Sequence, residues 1–319
     1  MKKLKGLILS ASLLLAVLFL SGCELIVFDS AGPMAQIITD VINWSLIWIG
    51  LIVVVVLALF IVFVWKYRAR PDNEDYMPPQ EEGNKVIEVI WTLIPIVIVV
   101  ILLVPTVKSL YALEEVPAEY ADQEPLVIHV TSADWKWIFS YPEENIETIN
   151  YVTIPTERPV IFKLTSAGTM QSFWIPQLAG QKYTMANMET ELPIVAEREG
   201  EYFGRNTSFN GEGYQEMEFS VEAVSQEDFD AWVEEVHAHA PELTEEEYYE
   251  KLQPSHLGRE TYVGTHLQWI NHAEHGGNAN ERILNPEAYR GHGYPGKIFH
   301  DPAEVPENEN ENGGGHSGH

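Results

Sequence analysis

The sequence predicts a membrane protein: a two-helix transmembrane hairpin, then an all-β Greek-key domain, then a short helical extension at the C-terminus. Three observations carry this. Residues 41–65 and 89–107 are runs without a charged side chain, and both lie in the first third of the 319-residue chain. Beyond Leu110 the texture changes to short β-rich runs separated by turn residues. The chain as a whole has 47 acidic against 19 basic residues, a formal net charge of -28, and most of the acid follows the second run. So negative a surface argues against nucleic acid as a partner, because phosphates are held by Lys and Arg.

Taken in order, the N-terminus reads as a signal for export. Lys2, Lys3 and Lys5 form a positive start, an apolar stretch runs to Leu20, and Leu20-Ser21-Gly22 precedes Cys23. Residues 1–22 are therefore expected to be a signal peptide, with 23–40 an external segment. Cys23 is the only cysteine in the chain. It can form no internal disulfide, and it excludes any site built on two thiolates.

The run at 41–65 would be about 37 Å long as a helix, enough to cross a hydrocarbon core of about 30 Å. The run at 89–107 is bounded by Glu88 and Lys108, and Trp44, Trp65 and Trp91 sit near the ends of the two runs as interfacial aromatics do. Pro95 inside the second is tolerated in a membrane helix. The connecting segment 66–88 holds Lys66, Arg68, Arg70 and Lys85, whereas residues 24–40 hold no basic side chain. The positive-inside rule puts that segment in the cytoplasm and both termini outside.

Over 120–225, Leu126-Val127-Ile128-His129-Val130-Thr131, Trp135-Lys136-Trp137-Ile138-Phe139 and Val160-Ile161-Phe162-Lys163-Leu164-Thr165 read as strands, and Met217, Phe219, Val221 and Ala223 alternate with polar residues. Strands at this density, with Gly and Pro between them, suggest a sandwich or Greek-key barrel. In 226–300, Phe229, Trp232, Val233 and Val236 have helical spacing, and Leu243-Thr244-Glu245-Glu246-Glu247 reads as an N-cap with an acidic first turn. From Ser225 onward there are 19 acidic and 5 basic residues. Residues 301–319 are Glu, Asn, Gly and His with almost no apolar content, a composition expected to be disordered.

Several motifs in this order resemble subunit II of the haem–copper respiratory oxidases. Leu20-Ser21-Gly22-Cys23 resembles a bacterial lipobox, which implies cleavage before Cys23 and its acylation, palmitate included. Glu88-Val89-Ile90-Trp91-Thr92-Leu93-Ile94-Pro95 is similar to the family's second-helix motif. Asp134-Trp135-Lys136-Trp137, Ser172-Phe173-Trp174-Ile175-Pro176 and Gly200-Glu201-Tyr202-Phe203-Gly204 are similar to segments of its β domain. The resemblance covers about residues 20–250 and implies a cupredoxin-like fold.

In the cytochrome-oxidising branch that domain holds a dinuclear copper centre, bound through two thiolates, two imidazoles, a thioether and a backbone carbonyl, soft and borderline donors that suit copper. Carried onto this chain, the first histidine position is Gln171, the cysteine positions are Asn206 and Asn210, the carbonyl position is Ser208 and the second histidine position is Tyr214. Only the methionine remains, as Met217. His129 is the sole histidine between residues 110 and 225, so a mononuclear blue-copper site is excluded as well. The expectation is a metal-free domain, its hollow refilled by neutral polar side chains and Met217 a core residue.

The missing ligands point to the quinol-oxidising branch, and the run from Asp134 to Tyr141-Pro142-Glu143-Glu144 is similar to it; the resemblance implies the Gram-positive menaquinol type. A lipid-soluble donor reaches a membrane subunit directly and needs no external relay. The resemblance then implies no cofactor in this chain, haems and copper in subunit I, partner subunits I, III and IV, contact with membrane lipid, quinol reached through subunit I, and a bacterial cell-membrane location. Two alternatives stand beside it: a cytochrome c oxidase subunit II with a degenerate copper site, and a non-enzymatic lipoprotein that serves as a binding or assembly module. Glu88 is open between a headgroup-level carboxylate favoured by the helix dipole and, by resemblance, an entry point for protons. Trp135 and Trp137, which line an electron path in the copper branch, are expected to pack or dock without a metal. His237 and His239, two apart on a helix, face different ways.

Overall fold

A computed structural model of the protein describes residues 25–68 and 83–273. The expected signal peptide and Cys23, most of the connecting segment, and the tail with the end of the extension lie outside the described residues.

A 3₁₀ turn, Ile26–Phe28, leads into α1, Pro33–Tyr67, and α2 spans Lys85–Ala112. Both helices outrun the uncharged stretches at each end, because neither end carries a residue that stops a helix before it leaves the apolar region. Pro33 sits in the first turn of α1, where its missing N–H costs nothing. Asn84 caps α2 by accepting from the N–H groups of Val86 and Ile87. Hydroxyls inside the apolar runs bond back to their own helix: Ser45 to the carbonyl of Val41, Thr92 to that of Glu88 and Thr106 to that of Leu102, each at 2.8 Å. Apart from Met34 and Ala35 at the start of α1, the apolar side chains of both helices are largely exposed on this chain by itself, the pattern of a hairpin whose solvent is lipid or another membrane subunit.

The β domain packs two sheets face to face. One has the order β11-β3-β2-β1-β5-β8 and the other β4-β10-β9-β6-β7. The strands are β1 Leu126–Ala133, β2 Lys136–Tyr141, β3 Ile146–Ile149, β4 Tyr151–Pro155, β5 Val160–Ser166, β6 Gln171–Trp174, β7 Lys182–Thr184, β8 Thr190–Ile194, β9 Gly200–Asn206, β10 Glu218–Val224 and β11 Glu260–Val263. β1 runs parallel to β5, and β4 parallel to β10, so the chain crosses between sheets as a Greek key does. The architecture is cupredoxin-like. Its core is aromatic: Phe173 stacks on Phe219 at 4.8 Å, and Trp137 meets both edge-on at 5.1 and 5.6 Å.

The hairpin and the β domain meet through residues 29–35. Ala31 donates to the carbonyl of Gln177 and accepts from the N–H of Glu197, which places this segment between two loops of the domain. Gly32 is required there, since a Cβ would lie 2.0 Å from the carbonyl oxygen of Val195. At the other helix, Lys182 on β7 pairs with Glu114 just past α2, at 2.7 Å.

The extension begins as expected, with α3 over Gln226–His239 and α4 over Glu245–Lys251. Ser225 caps α3, and Thr244 with Glu247 makes a capping box on α4. The extension is not purely helical, however. After α4 the chain returns to the sheet as β11, antiparallel to β3 at its edge. Its residues, Glu260-Thr261-Tyr262-Val263, are too few to show a period of two. Beyond β11, His266 is fully buried against Glu147, with Nδ1 2.6 Å from a carboxylate oxygen that also accepts from Ser140 Oγ and from the His266 N–H.

Candidate functional site

The resemblance singles out the loop between β9 and β10. Asn206, the last residue of β9, is fully buried and uses every polar atom of its side chain. Its Oδ1 accepts from the backbone N–H of Ser172 at 3.0 Å and of Ser208 at 2.9 Å, and its Nδ2 donates to the carbonyl of Ser208 at 2.8 Å. The carbonyl that the copper pattern would present to a metal is thus occupied by a neutral amide. Asn210 Nδ2 donates to the sulfur of Met217 at 3.4 Å, and Met217 is fully buried in the core.

Gln171 opens β6 on the neighbouring strand and is also fully buried. Its Nε2 lies 3.5 Å from Asp134 Oδ1, while its Oε1 and the Oδ1 of Asn210 are buried without a partner. Tyr214, half-buried in the same loop, has its ring 5.6 Å from that of Phe209 and 5.9 Å from the guanidinium of Arg205. The fold therefore brings Asn206, Ser208, Asn210, Tyr214 and Met217 into one loop, with Gln171 beside it. Amides and a phenol supply neither the bridging thiolates nor the imidazoles that a copper pair needs, so the residues present do not fit that centre. Among the described residues no group of three or more His, Cys, Asp or Glu side chains is placed to hold a metal ion.

Trp135 contributes more than its motif suggested. Its backbone φ is +101°, a conformation that a bulky residue keeps only when its surroundings hold it. The indole lies on the loop: a Cβ at Gly213 would be 2.3 Å from the ring, and Nε1 donates to the carbonyl of Asn210 at 3.3 Å. Gly213 in sequence was the available signal, because only glycine leaves room for a ring at that distance. Trp137 is wholly buried and packs in the core.

Glu88 belongs to a separate place. It sits in the first turn of α2, about 36 Å along the helix from Ala112 and the β domain. Lys85, Glu88, Val89, Thr92 and Leu93 line one open recess on that helix, and a Cβ at Gly83 would be 2.5 Å from Glu88 Oε1, so the carboxylate lies against the turn that precedes the helix. His237 and His239 each meet a backbone carbonyl, of Glu144 and Glu235 respectively, and do not converge.

Comparison with known proteins adds independent findings. The family described as cytochrome c oxidase subunit II, transmembrane domain, matches residues 21–109. The chain is 49% identical over 256 residues to the quinol oxidase subunit 2 of Bacillus cereus, covering 80% of this chain and 88% of that one. It is 45% identical over 288 residues to the quinol oxidase subunit 2 of Bacillus subtilis, covering 88% and 89%. Among solved structures, the periplasmic domain of subunit II of cytochrome oxidase from Bradyrhizobium japonicum is 20% identical, with a TM-score of 0.33 over 34% of this chain and 91% of that one.

Proposed function

This chain belongs to the family of quinol oxidase subunit 2, a haem–copper oxidase subunit II of the Gram-positive type, and from that premise we propose that it serves its complex without a redox centre of its own. As a subunit of a quinol oxidase it lies in the membrane and is partnered with other oxidase subunits. The observation that carries the proposal is the state of the former ligand loop. Asn206 and Ser208 are engaged with each other, Asn210 with Met217, and the loop holds no thiolate or imidazole. Electrons then have no stop in the β domain. A quinol, menaquinol in this reading, delivers them within the membrane to subunit I, which holds the haems and copper. Those groups supply the reduction of oxygen to water.

The partners are subunits I, III and IV. The hairpin packs on subunit I, and the β domain covers the outer face. The basic flanks of the connecting segment support a cytoplasmic loop with both ends outside, and Leu20-Ser21-Gly22-Cys23 supports an N-terminal lipid anchor on Cys23. With that orientation Glu88 lies at the cytoplasmic end of α2, where a carboxylate at the mouth of a recess can take a proton from water and pass it toward a partner subunit. The test is to incubate the purified complex with excess copper, remove what is loosely held, and count copper against haem. Copper equal to that of subunit I supports the reading. A further pair of tightly held coppers in each complex would overturn it.

A further inference from the structure

The 3₁₀ turn Ile26–Phe28 exposes an apolar edge that the functional reading does not use. Leu25 is 64% exposed, Ile26 38% and Phe28 39%, an unusual cluster for a segment this short. The turn is closed by the N–H of Phe28 bonding to the carbonyl of Leu25 and that of Asp29 to Ile26.

Two sets of contacts fix where this edge lies. Thr39 Oγ1 donates to the carbonyl of Val27 at 3.0 Å and lies 2.9 Å from Ser30 Oγ. The turn is therefore level with Thr39, two residues and about 3 Å of helix rise before the uncharged run begins at Val41. On the opposite side, Asp29 accepts from Arg198 Nη2 at 2.9 Å and from Gln177 Nε2 at 2.8 Å. Asp29 thus ties the turn to the β domain, while the exposed Leu25, Ile26 and Phe28 line an open recess together with Asp29 and Gln177.

We propose that Leu25, Ile26 and Phe28 form a wedge that enters the headgroup–acyl boundary of the bilayer at the β-domain end of the hairpin. The occupant is a lipid surface because the edge is level with, and continuous with, the start of the span, where the water-to-hydrocarbon gradient is steepest. The wedge holds the β domain down on the membrane through Asp29, Arg198 and Gln177. It rests on the membrane location of the hairpin and is independent of acylation at Cys23.

A photoreactive probe tests this in the whole complex reconstituted into phosphatidylglycerol vesicles. Phe28→benzoylphenylalanine and, separately, Leu25→benzoylphenylalanine are illuminated, and the peptides of this chain are examined for attached lipid. Phe60, exposed within α1, serves as the in-membrane control, and His256, exposed on the extension, as the aqueous one. The wedge predicts lipid adducts at 25 and 28 comparable to those at 60 and at least about tenfold above those at 256. Adducts to another subunit, or lipid yields at both positions no higher than at 256, would overturn it.

Discussion

Asn206 accepts the backbone N–H of Ser172 through its side-chain carbonyl, at 3.0 Å, and so ties β6 to the loop after β9 with a neutral amide. In the family's copper branch a metal would organise that loop. Here the same residue also caps its own turn through Ser208, so the loop keeps a defined shape with no ion in it.

Asn206→Ala removes those hydrogen bonds at once and leaves buried N–H groups without an acceptor. Each unsatisfied group costs about 1–3 kcal/mol, and the expected loss is about 3 kcal/mol in all. Thermal unfolding of the β domain and tryptic cleavage after Arg205 would register it, while the haem content of the complex is expected to stay the same.

Glu88 is addressed by turnover. Glu88→Ala is expected to slow quinol-driven oxygen uptake by at least about tenfold, in line with a lost proton-transfer group, with haem spectra intact. Glu88→Asp is expected to recover part of the rate. Turnover unchanged in both variants would leave Glu88 as a headgroup carboxylate at a helix N-terminus.

Restoring Gln171→His, Asn206→Cys, Asn210→Cys and Tyr214→His beside Met217 is expected to create a copper site, since all five positions already share one loop or its neighbouring strand. A folded variant that binds no copper would mean that the loop has drifted from the geometry the resemblance implies.

Among the described residues, the extension holds the histidine most strongly shifted by burial. His272 is buried, with its Nε2 2.8 Å from the Tyr248 hydroxyl, and burial with a smaller contribution from His266 lowers its pKa to about 3. Tyr248 also stacks on His266, 4.4 Å away, and His266 meets Glu147. With a folded pKa below the ordinary 6.5, His272 contributes stability above 6.5 that is lost as pH falls below it toward 3. Between pH 7 and 5 the loss is about 2 kcal/mol. Melting curves over that range are expected to show it, and His272→Gln, which keeps an acceptor for Tyr248, is expected to flatten the profile. An equally steep profile in His272→Gln would place the titration elsewhere.

The hairpin was legible because two long uncharged runs are one-dimensional signals. The β domain was legible from β-rich runs and alternation, whereas the loop after β9 was singled out only by the resemblance, which supplied the positions at which to compare residue types. What escaped were features made by distant residues. β11 finds its place only because β3 offers an edge. The Glu147–His266 pair joins segments 119 residues apart in hydrogen bonds that no local pattern announces. Trp135 looked like an ordinary motif aromatic until its backbone φ and its seat on Gly213 were known.

The central claim is that the altered loop records a change of electron donor. Oxygen consumption by the detergent-purified complex, supplied first with a quinol and then with reduced cytochrome c, tests it most directly. Uptake with quinol and none with cytochrome c is the predicted result. Uptake driven by cytochrome c would mean that electrons enter through this domain after all, and would contradict the account.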